Sequence, residues 1–400
     1  QQMRLNSWRG RDEVINVELR GPLAIEPYLR ALVDTSGSDL HLKAGVVPRI
    51  RVDGTLHPLR SGPLSPADTE RMLSEIIRED LVEEFEQTGE ADFALMIDGV
   101  GRFRVNAFRQ RGDVGLVLRR VSIGAIPLQD LGLPDAVPAL ALQPRGLILV
   151  TGPTGSGKTT TLAGMVDEIN KNRDVHVVTI EDPIEIIHHD KRALINQREV
   201  RIDTADFNVA MRAAMRQDPD VIQIGEMRDP ETVHAALSAA ETGHLVLSTL
   251  HTNDAASTPA RLIDMGVPQW MVALSLQLVV AQRLVRTVCS NCSMPHEPSP
   301  QELVWLRSEL GHEVDYSGLR AGKGCPDCNQ TGYRGRTGVY EFLQMTLPLV
   351  DAMGSSDPSL FSKAAREQMD GNTLRRDAAR LSLTGRTTVA EAMGVSAQVD

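Results

Sequence analysis

The feature that most constrains this chain is a glycine-rich loop between a short apolar segment and a helix. Residues 147–151 are apolar or β-branched, and residues 158–170 are predicted to be helical. The loop between them follows the pattern G-x4-G-K-T, the phosphate-binding loop in the strand–loop–helix setting that it requires. Its glycines allow backbone N–H groups to approach a polyphosphate, and the helix directs its positive end to the same place. The sequence therefore predicts a nucleotide site.

Two positions of this loop have predicted tasks. Lys158 is expected to reach the β- and γ-phosphates of ATP, and the Thr159 hydroxyl is expected to ligate Mg²⁺. A glycine-rich turn that happens to contain a lysine is the alternative, but it does not explain why all the fixed positions occur together. The residues assigned to nucleotide binding are Gly152, Pro153, Thr154, Gly155, Ser156, Gly157, Lys158, Thr159 and Thr160.

The region around the loop alternates between apolar strands and helices. Strands are predicted at 147–150, 175–180, 221–224 and 245–249, and helices at 158–170, 207–216, 230–242 and 254–265. Strands that are apolar on both faces and separated by helices indicate a doubly wound, mostly parallel sheet. We therefore predict an α/β domain over residues 146–285, with its ligands at the carboxyl ends of the strands.

The flanking regions follow other patterns. Residues 1–22 are polar and are predicted to be a tail, whereas residues 23–124 indicate an α+β domain. Within that domain we expect a hairpin turn at Asp53-Gly54 and a helix from Ser65 to about Glu86, because Ser65 supplies an N-cap hydroxyl before a proline. Residues 125–145 contain several prolines and are interpreted as an interdomain linker, and residues 346–400 are predicted to be mostly helical.

All four cysteines lie in two pairs, Cys289-x2-Cys292 and Cys325-x2-Cys328. Paired C-x2-C segments in a reducing compartment are typical of a tetrahedral zinc site, here in a subdomain over residues 286–345. The 32 residues between the pairs exceed the usual spacing, and residues 299–310 are expected to form an inserted helix. The alternatives are a redox pair or a site that has lost its metal. Four thiolates would close the coordination sphere, so a folding and docking role is predicted.

The overall composition excludes some classes of function. The net charge of −11 and the pI of about 5.5 argue against a general nucleic-acid or anionic-membrane surface. The longest apolar run, residues 271–280, is too short for a membrane span, and no signal-peptide pattern is present. These features predict a soluble cytoplasmic protein.

Acidic and histidine residues follow the predicted strands. Glu181 and Glu185 come after the second strand, and Glu226 comes after the third, where carboxylates can hold Mg²⁺ waters and polarise an attacking water. Capping of the next helix explains Asp229 but not Glu226, so Glu226 is the predicted catalytic base. His244 and His251 flank the fourth strand and are interpreted either as structural groups or as sensors of the γ-phosphate, with His251 at the ligand end.

Four segments together resemble a known family. The loop, residues 181–185, residues 217–229 and residues 242–253 are similar, in this order, to the secretion ATPases of type II secretion and type IV pilus machines, over about residues 25–395. The resemblance implies a homo-hexameric motor that binds ATP between a PAS-like N-terminal domain and a RecA-like C-terminal domain. It makes Glu226 the Walker B glutamate, places Glu181 and Glu185 in the aspartate box, and places His244 and His251 in the histidine box.

The same resemblance assigns a role to two arginines of the N-terminal domain. Arg104 and Arg119, on neighbouring predicted strands, match family arginines that reach the nucleotide phosphates. Arginines there would neutralise charge that develops on the transferred phosphoryl group. The alternative is a solvated face of the sheet.

Two features resemble different branches of the family. Residues 38–45 and 102–108 are similar to the pilus-retraction branch, whereas the tetracysteine and residues 332–341 are similar to the secretion and pilus-extension branch. We give the cysteines more weight and predict an assembly ATPase, peripheral at the inner membrane through platform and adaptor proteins, with no nucleic-acid partner. The alternatives are a retraction ATPase, a nucleotide-gated scaffold and a DNA-handling conjugation-type ATPase.

Overall fold

The structure is a computed structural model that describes residues 15–16, 23–52, 54–355 and 357–396. The chain divides into two compact units after Ile123. Most of the predicted N-terminal tail lies outside the described residues, as does Asp53 of the predicted hairpin turn. Val52 and Thr55 nevertheless pair as antiparallel neighbours, which confirms the hairpin.

The first unit is built on a seven-stranded sheet in the order β1-β4-β3-β2-β7-β6-β5. Strand β1 runs parallel to β4, and the other pairs are antiparallel. Its elements are β1 (Ile15–Asn16), α1 (Glu26–Asp34), β2 (Asp39–Lys43), β3 (Arg49–Val52), β4 (Thr55–Arg60), α2 (Pro66–Ser74), α3 (Glu79–Thr88), β5 (Glu90–Ile97), β6 (Gly101–Gln110), β7 (Asp113–Arg120) and β8 (Ser122–Ile123).

Alternation along the strands of this sheet separates a buried face from a polar face. On β6, Phe103, Val105 and Ala107 are fully buried in the core that α1, α2 and α3 cover, while Arg104 is exposed. The prediction of one helix from 65 to 86 is wrong. The capping box at Ser65 starts α2 as expected, but the chain leaves the helix after Ser74 and becomes extended at Arg78, so that Ile76 is buried in the core.

The second unit contains the remaining elements. Its strands are β9 (Gly146–Thr151), β10 (His176–Glu181), β11 (Ile186–Ile187), β12 (Leu194–Glu199), β13 (Val221–Ile224), β14 (Leu245–Leu250), β15 (Leu276–Val288), β16 (Ser293–Pro295), β17 (Arg320–Gly322) and β18 (Tyr333–Gln344). Its helices are α4 (Ala136–Ala141), α5 (Lys158–Asn172), α6 (Phe207–Ala214), α7 (Pro230–Glu241), α8 (Thr258–Asp264), α9 (Gln269–Ser275), α10 (Pro300–Leu310), α11 (Leu347–Met353), α12 (Pro358–Met369), α13 (Leu374–Leu383) and α14 (Val389–Ser396).

The central sheet has the order β12-β10-β13-β14-β9-β15-β18. All its pairs are parallel except β15 with β18, which confirms the predicted doubly wound, mostly parallel sheet. Hydrophobic cores cover both faces, one under α5 and one under α6, α7 and the C-terminal helices. The predicted strands were found, whereas β12, β15 and β18 were missed because polar residues interrupt their apolar pattern.

The segment interpreted as a linker contributes to the core of the second unit. A 3₁₀ turn at Leu128–Asp130 and helix α4 both contact α5, and Leu128 and Val137 are buried. Gly164 on α5 lies so close to Leu128 that an added Cβ would come within 2.9 Å of that side chain. These residues therefore fix the position of the helix that follows the phosphate loop.

The cysteine-bearing segment is an insertion between two neighbouring strands. Strand β15 ends at Val288, which pairs with Tyr333 at the start of β18. The predicted helix of the insertion is confirmed as α10, and its Trp305 and Leu306 enter the main core. In the described part of the chain, no helix combines the length and the hydropathy that a bilayer crossing needs.

Candidate functional site

The phosphate loop connects a buried strand to an amphipathic helix. Every residue of β9 is buried, and Gly152, Gly155 and Gly157 take positive φ angles of 145°, 79° and 88° before α5 begins at Lys158. A Cβ on Gly152 would lie 2.4 Å from the Gln282 carbonyl oxygen. The glycine at 152 is therefore required both by its backbone angles and by the close approach of β15.

Two polar residues of β15 make buried contacts beside the phosphate loop, Gln282 with the loop itself and Arg283 with the segment after β14, and the sequence analysis missed both. Gln282 Nε2 donates to the Ser156 carbonyl oxygen at 2.8 Å, and Gln282 Oε1 accepts from Thr161 Oγ1 at 2.7 Å. Arg283 donates to the Asn253 carbonyl oxygen at 2.9 Å. Both side chains are 2% exposed. Two consecutive polar residues inside an apolar strand were the available signal, since buried polar groups are almost always paired.

Lys158 lies folded against the loop. Its Nζ donates to the carbonyl oxygens of Gly152 at 2.8 Å and Pro153 at 3.1 Å. Burial lowers the pKa of the Lys158 ammonium, while the nearby Glu226 carboxylate acts in the opposite direction. A phosphate above the loop would offer this cation a charged acceptor in place of two neutral ones, and charge-assisted hydrogen bonds are the stronger kind.

The loop borders a cavity of about 450 Å³ at the carboxyl ends of the strands. Most of the predicted site residues of this unit lie together there, although they come from four separate segments of the sequence. The predicted residues that line the cavity are Thr154, Gly155, Gly157, Lys158, Thr159, Thr160, Glu181, Glu185, Glu226 and His251. The sequence analysis did not include Gln223, Arg228 and Thr249, which also line it.

Glu226 is held between two basic side chains. Its Oε2 accepts from Arg228 at 2.8 Å, and its Oε1 lies 2.9 Å from His251 Nε2. Burial acts to raise the pKa of Glu226, but the hydrogen bond and charge of Arg228, with the charges of His251 and Lys158, bring it below its ordinary value. Glu226 is thus an ionised carboxylate at neutral pH.

Glu181 has the opposite electrostatic character. It is 5% exposed, and its Oε1 accepts from Thr179 Oγ1 at 2.7 Å and from Gln197 Nε2 at 3.1 Å. Burial raises the pKa of Glu181 above its ordinary value, although both hydrogen bonds act against that rise. Among the carboxyl groups that line the cavity, Glu181 and Glu226 therefore have pKa values displaced in opposite directions, an arrangement found at acid–base sites.

His244 does not lie at this cavity. It precedes β14, its Nδ1 is 3.0 Å from the Ala239 carbonyl oxygen, and its own carbonyl accepts from Gly146 N at the start of β9. These contacts place it at the amino edge of the parallel strands, whereas His251 is at the carboxyl edge. Within one chain the structure brings only His251 to the loop.

Arg104 and Arg119 lie in the first unit, where they are direct cross-strand partners on β6 and β7. Both side chains are exposed, and Arg119 Nε donates to Asp39 Oδ1 on β2 at 2.8 Å. The predicted proximity of these two arginines is thus present. Their action on a nucleotide stays a prediction.

The four cysteines form a compact cluster. Their sulfur atoms all lie within 4.8 Å of one another, with Sγ–Sγ distances of 3.8 Å for Cys289–Cys325 and for Cys292–Cys328. A tetrahedron with metal–sulfur bonds of about 2.3 Å has edges of about 3.8 Å. The sulfur positions therefore fit one tetrahedral metal ion.

Comparison with known proteins identifies the family. The profile of the family described as "Type II/IV secretion system protein" matches residues 22–394. The chain belongs to this family. The predicted recognition, as an ATPase of secretion and pilus machines, is confirmed.

Relatives within this family come from both of its branches. The chain is 45% identical over 266 residues to the "Type IV pilus retractation ATPase PilT" of Pseudomonas aeruginosa, covering 65% of this chain and 77% of the relative. It is 35% identical over 387 residues to the "Type II secretion system protein E" of Aeromonas hydrophila, covering 93% and 75%.

A solved structure confirms the fold class. The "Crystal Structure of the Pilus Retraction Motor PilT and Bound ADP" superposes with a TM-score of 0.74 at 35% identity, covering 92% of this chain and 95% of that one. The predicted α/β fold, with an antiparallel N-terminal sheet and a mostly parallel central sheet, is therefore the fold of a family member, and this chain also has the predicted cysteine cluster and helical C-terminal region.

Proposed function

We propose that this chain is an ATP-hydrolysing motor of the retraction class of type IV pilus machines. The observation that carries ATP hydrolysis is the phosphate loop with the ionised Glu226 on the same cavity. Identities of 45% to PilT and 44% to the "Type IV pilus ATPase PilU" of Pseudomonas aeruginosa, against 35% to type II secretion protein E, favour retraction. The comparisons thus support a retraction ATPase, which the sequence analysis gave as an alternative, better than the predicted assembly role.

In this proposal the loop binds the phosphates of ATP. The backbone N–H groups at 155–159 and the Lys158 ammonium hold the polyphosphate, and the positive-φ glycines leave room for its close approach. Thr159 and the carboxyl groups of the cavity suit Mg²⁺, which prefers oxygen ligands. When bound, Mg²⁺ neutralises charge on the phosphate oxygens.

Glu226 serves as the general base for the attacking water. An ionised carboxylate can accept the proton of the attacking water. Arg228 and His251 now occupy its two oxygens, so one of these contacts must break before the water can bind. Arg228 is largely exposed and can turn away at small cost, which frees Oε2. His251 then keeps Oε1 oriented and senses whether the γ-phosphate is present.

The proposed working unit is a homo-hexamer. In the family such ATPases act as hexameric motors, and in this proposal Arg104 and Arg119 supply positive charge to the transferred phosphoryl group. The net charge of −11 supports proteins as partners, namely an inner-membrane platform and its cytoplasmic adaptors. The chain would then be cytoplasmic and peripheral at the inner membrane.

For the cysteine cluster we propose one structural Zn²⁺. Four sulfur ligands leave no open position for a substrate, so the metal would hold the two C-x2-C segments together. Cys289, Cys292, Cys325 and Cys328 are the proposed ligands.

The assembly role remains the second candidate, because a specific observation favours it. Type II secretion protein E matches 93% of this chain, whereas PilT and PilU match 65% and 66%. The tetracysteine also resembles the secretion and pilus-extension branch.

Substitution of the proposed base tests the motor. In Glu226→Gln we expect ATP to bind with unchanged affinity and hydrolysis to fall at least about 100-fold, because the amide cannot take the proton. Glu241→Gln, an exposed position on α7, is the control and should hydrolyse normally. If Glu226→Gln still supports pilus function, turnover is incidental and the scaffold alternative gains.

Complementation separates the two branches. The chain should restore pilus retraction in a host that lacks its retraction ATPase, and Glu226→Gln should not. Restoration of piliation in a host that lacks its extension ATPase would instead select the assembly role. Stimulation of hydrolysis by DNA, abolished by salt, would revive the conjugation-type alternative.

A further inference from the structure

Gln223 is a buried amide in the middle of the central sheet. It lies on β13 between Thr179 of β10 and Leu247 of β14, and it is 3% exposed. Its Oε1 is fully buried and accepts no hydrogen bond from any described residue. The side chain lines the cavity above the phosphate loop.

An unpaired amide oxygen in such a place needs an explanation. Leaving a buried acceptor unsatisfied destabilises the fold, and most buried polar groups are paired. The flanking Ile222 and Ile224 are core residues, so an apolar side chain would be the ordinary occupant of position 223. Gln223 therefore has a side-chain acceptor that no described residue satisfies, in a side chain that lines the cavity.

The direction of the side chain follows from strand alternation. Gln223 shares a face with Val221, which belongs to the core under α5, whereas Ile222 and Ile224 belong to the opposite core. This face looks toward the first turn of α5, where Thr159 and Thr160 line the same cavity. Gln223 is the one polar side chain that β13 presents.

The next position on this face cannot easily carry a side chain. A Cβ on Gly225 would lie 3.3 Å from the Ile180 carbonyl oxygen and 3.4 Å from the Glu181 Cα, both on backbone. An acidic side chain at 225 would crowd β10. A side chain of β13 that acts on the cavity must therefore come from the preceding position on this face, which is residue 223. The side chain of Gln223 is long enough to line the cavity from there.

We propose that Gln223 Oε1 accepts a hydrogen bond from a water molecule bound to the Mg²⁺ that accompanies ATP, and so positions the metal. Mg²⁺ in nucleotide sites keeps several of its waters, and each of these needs an acceptor. Gln223 is thus a positioning residue that acts through water rather than a catalytic residue. The inference rests on the proposed ATPase function and adds a group to that site.

The test replaces the amide with an apolar side chain of the same length. In Gln223→Met, a fluorescent ATP analogue should bind in EDTA with the same affinity as to the wild-type chain. The Mg²⁺ concentration that half-saturates the nucleotide complex should rise about tenfold, as expected for the loss of one hydrogen bond. Mn²⁺ binding followed by electron paramagnetic resonance should weaken equally, and Tm without nucleotide should stay or rise.

Two further variants make the result specific. Gln223→Glu keeps an acceptor oxygen and should return the Mg²⁺ midpoint to near the wild-type value. Ser275→Ala removes another buried, unpaired side chain, on α9 and away from the cavity lining, and should leave the midpoint unchanged.

The inference is overturned if Gln223→Met has the wild-type Mg²⁺ midpoint, or if it weakens metal-free nucleotide binding as much as it weakens binding with Mg²⁺. Either result would mean that the amide is only structural. A wild-type chain that binds no ATP would instead defeat the proposed function, so the two failures are distinguishable.

Discussion

The phosphate loop and the cysteine cluster each gather groups for a charged ligand, but different forces hold them. The loop lies between β9, whose residues are all buried, and α5, and hydrophobic cores cover both faces of the sheet beneath it. Around the cysteines, the hydrophobic cluster consists of Cys289, Cys292 and Cys328 with Cys325 against them. The fold therefore builds the loop without its ligand, whereas we expect the cysteine region to depend on the proposed metal for its structure.

Removal of the metal should have the largest effect and should stay local. In Cys289→Ser, zinc content should fall from about one per chain to near zero, since one thiolate of a closed set is lost. Amide exchange over residues 289–295 and 320–332 should accelerate by at least about 100-fold, while exchange in α10 changes little and ATP affinity stays within about twofold.

Ser293→Ala, an exposed neighbour of the cluster, is the matched control and should keep its zinc. An equal loss of ATP affinity in Cys289→Ser would show that the two sites are not independent. Freshly purified wild-type chain without zinc would contradict the metal assignment.

Gly152→Ala should produce the next largest effect, at the loop alone. The new Cβ would meet the Gln282 carbonyl oxygen at 2.4 Å, in addition to the strain of a positive φ. We expect ATP affinity to fall at least about 30-fold, which corresponds to about 2 kcal/mol, with zinc content unchanged.

Gly155→Ala is the comparison for this variant. Gly155 also has a positive φ, but an added Cβ has no atom within 4 Å, so only the backbone strain remains. Equal losses in both variants would mean that β15 does not shape the loop. Isothermal titration with ATP measures both.

The buried carboxyl group of Glu181 predicts a smaller, pH-dependent effect. Burial raises the pKa of Glu181, so there is a pH range in which the folded chain keeps a proton that the unfolded chain loses. The stability of the wild-type chain falls as pH rises from the unfolded-state pKa of Glu181 to its folded-state pKa. Glu181→Gln stays neutral, so its free energy of unfolding relative to wild type should increase as pH rises above the ordinary pKa of a glutamate. Urea unfolding at several pH values checks this, and a pH-independent difference would contradict it.

The smallest effect concerns the helix inside the cysteine insertion. Ser299 and Glu302 form a capping box on α10, and Trp305 and Leu306 anchor the helix in the main core. Ser299→Ala should cost about 1 kcal/mol without changing zinc content, because the helix depends on its cap and the core rather than on the metal. Loss of zinc in this variant would show that the helix supports the cluster.

The sequence was sufficient for the parts of the molecule in which local pattern and tertiary environment agree. Strands β9, β10, β13 and β14 are mostly apolar, and the phosphate loop has fixed residue types, so the sheet and most of the cavity were predictable. Strand β15 was not, because Gln282 and Arg283 interrupt its pattern and their partners, Ser156 and Asn253, are distant in sequence.

Other failures have equally specific causes. The single helix from 65 to 86 followed from the capping signal at Ser65, which marks where a helix starts but not where it ends, and the chain leaves the helix after Ser74 with Ile76 buried in the core. The position of Gln223 on the cavity wall was not predicted, because one polar residue in an apolar strand does not indicate which side of the sheet it faces until its neighbouring strands are known. Finally, His244 and His251 flank one strand, and only strand direction tells which of them meets the loop.

The pairing of Val288 with Tyr333 has an evolutionary consequence. Since the entire cysteine segment leaves and re-enters the sheet at adjacent points, removing it and closing the gap with a short turn would leave an ordinary β-hairpin. Lineages could therefore lose, enlarge or exchange this segment while the pairing of β15 with β18 is kept, provided that the core positions of Trp305 and Leu306 stay filled. The central sheet and the cysteine segment are then free to diverge at different rates.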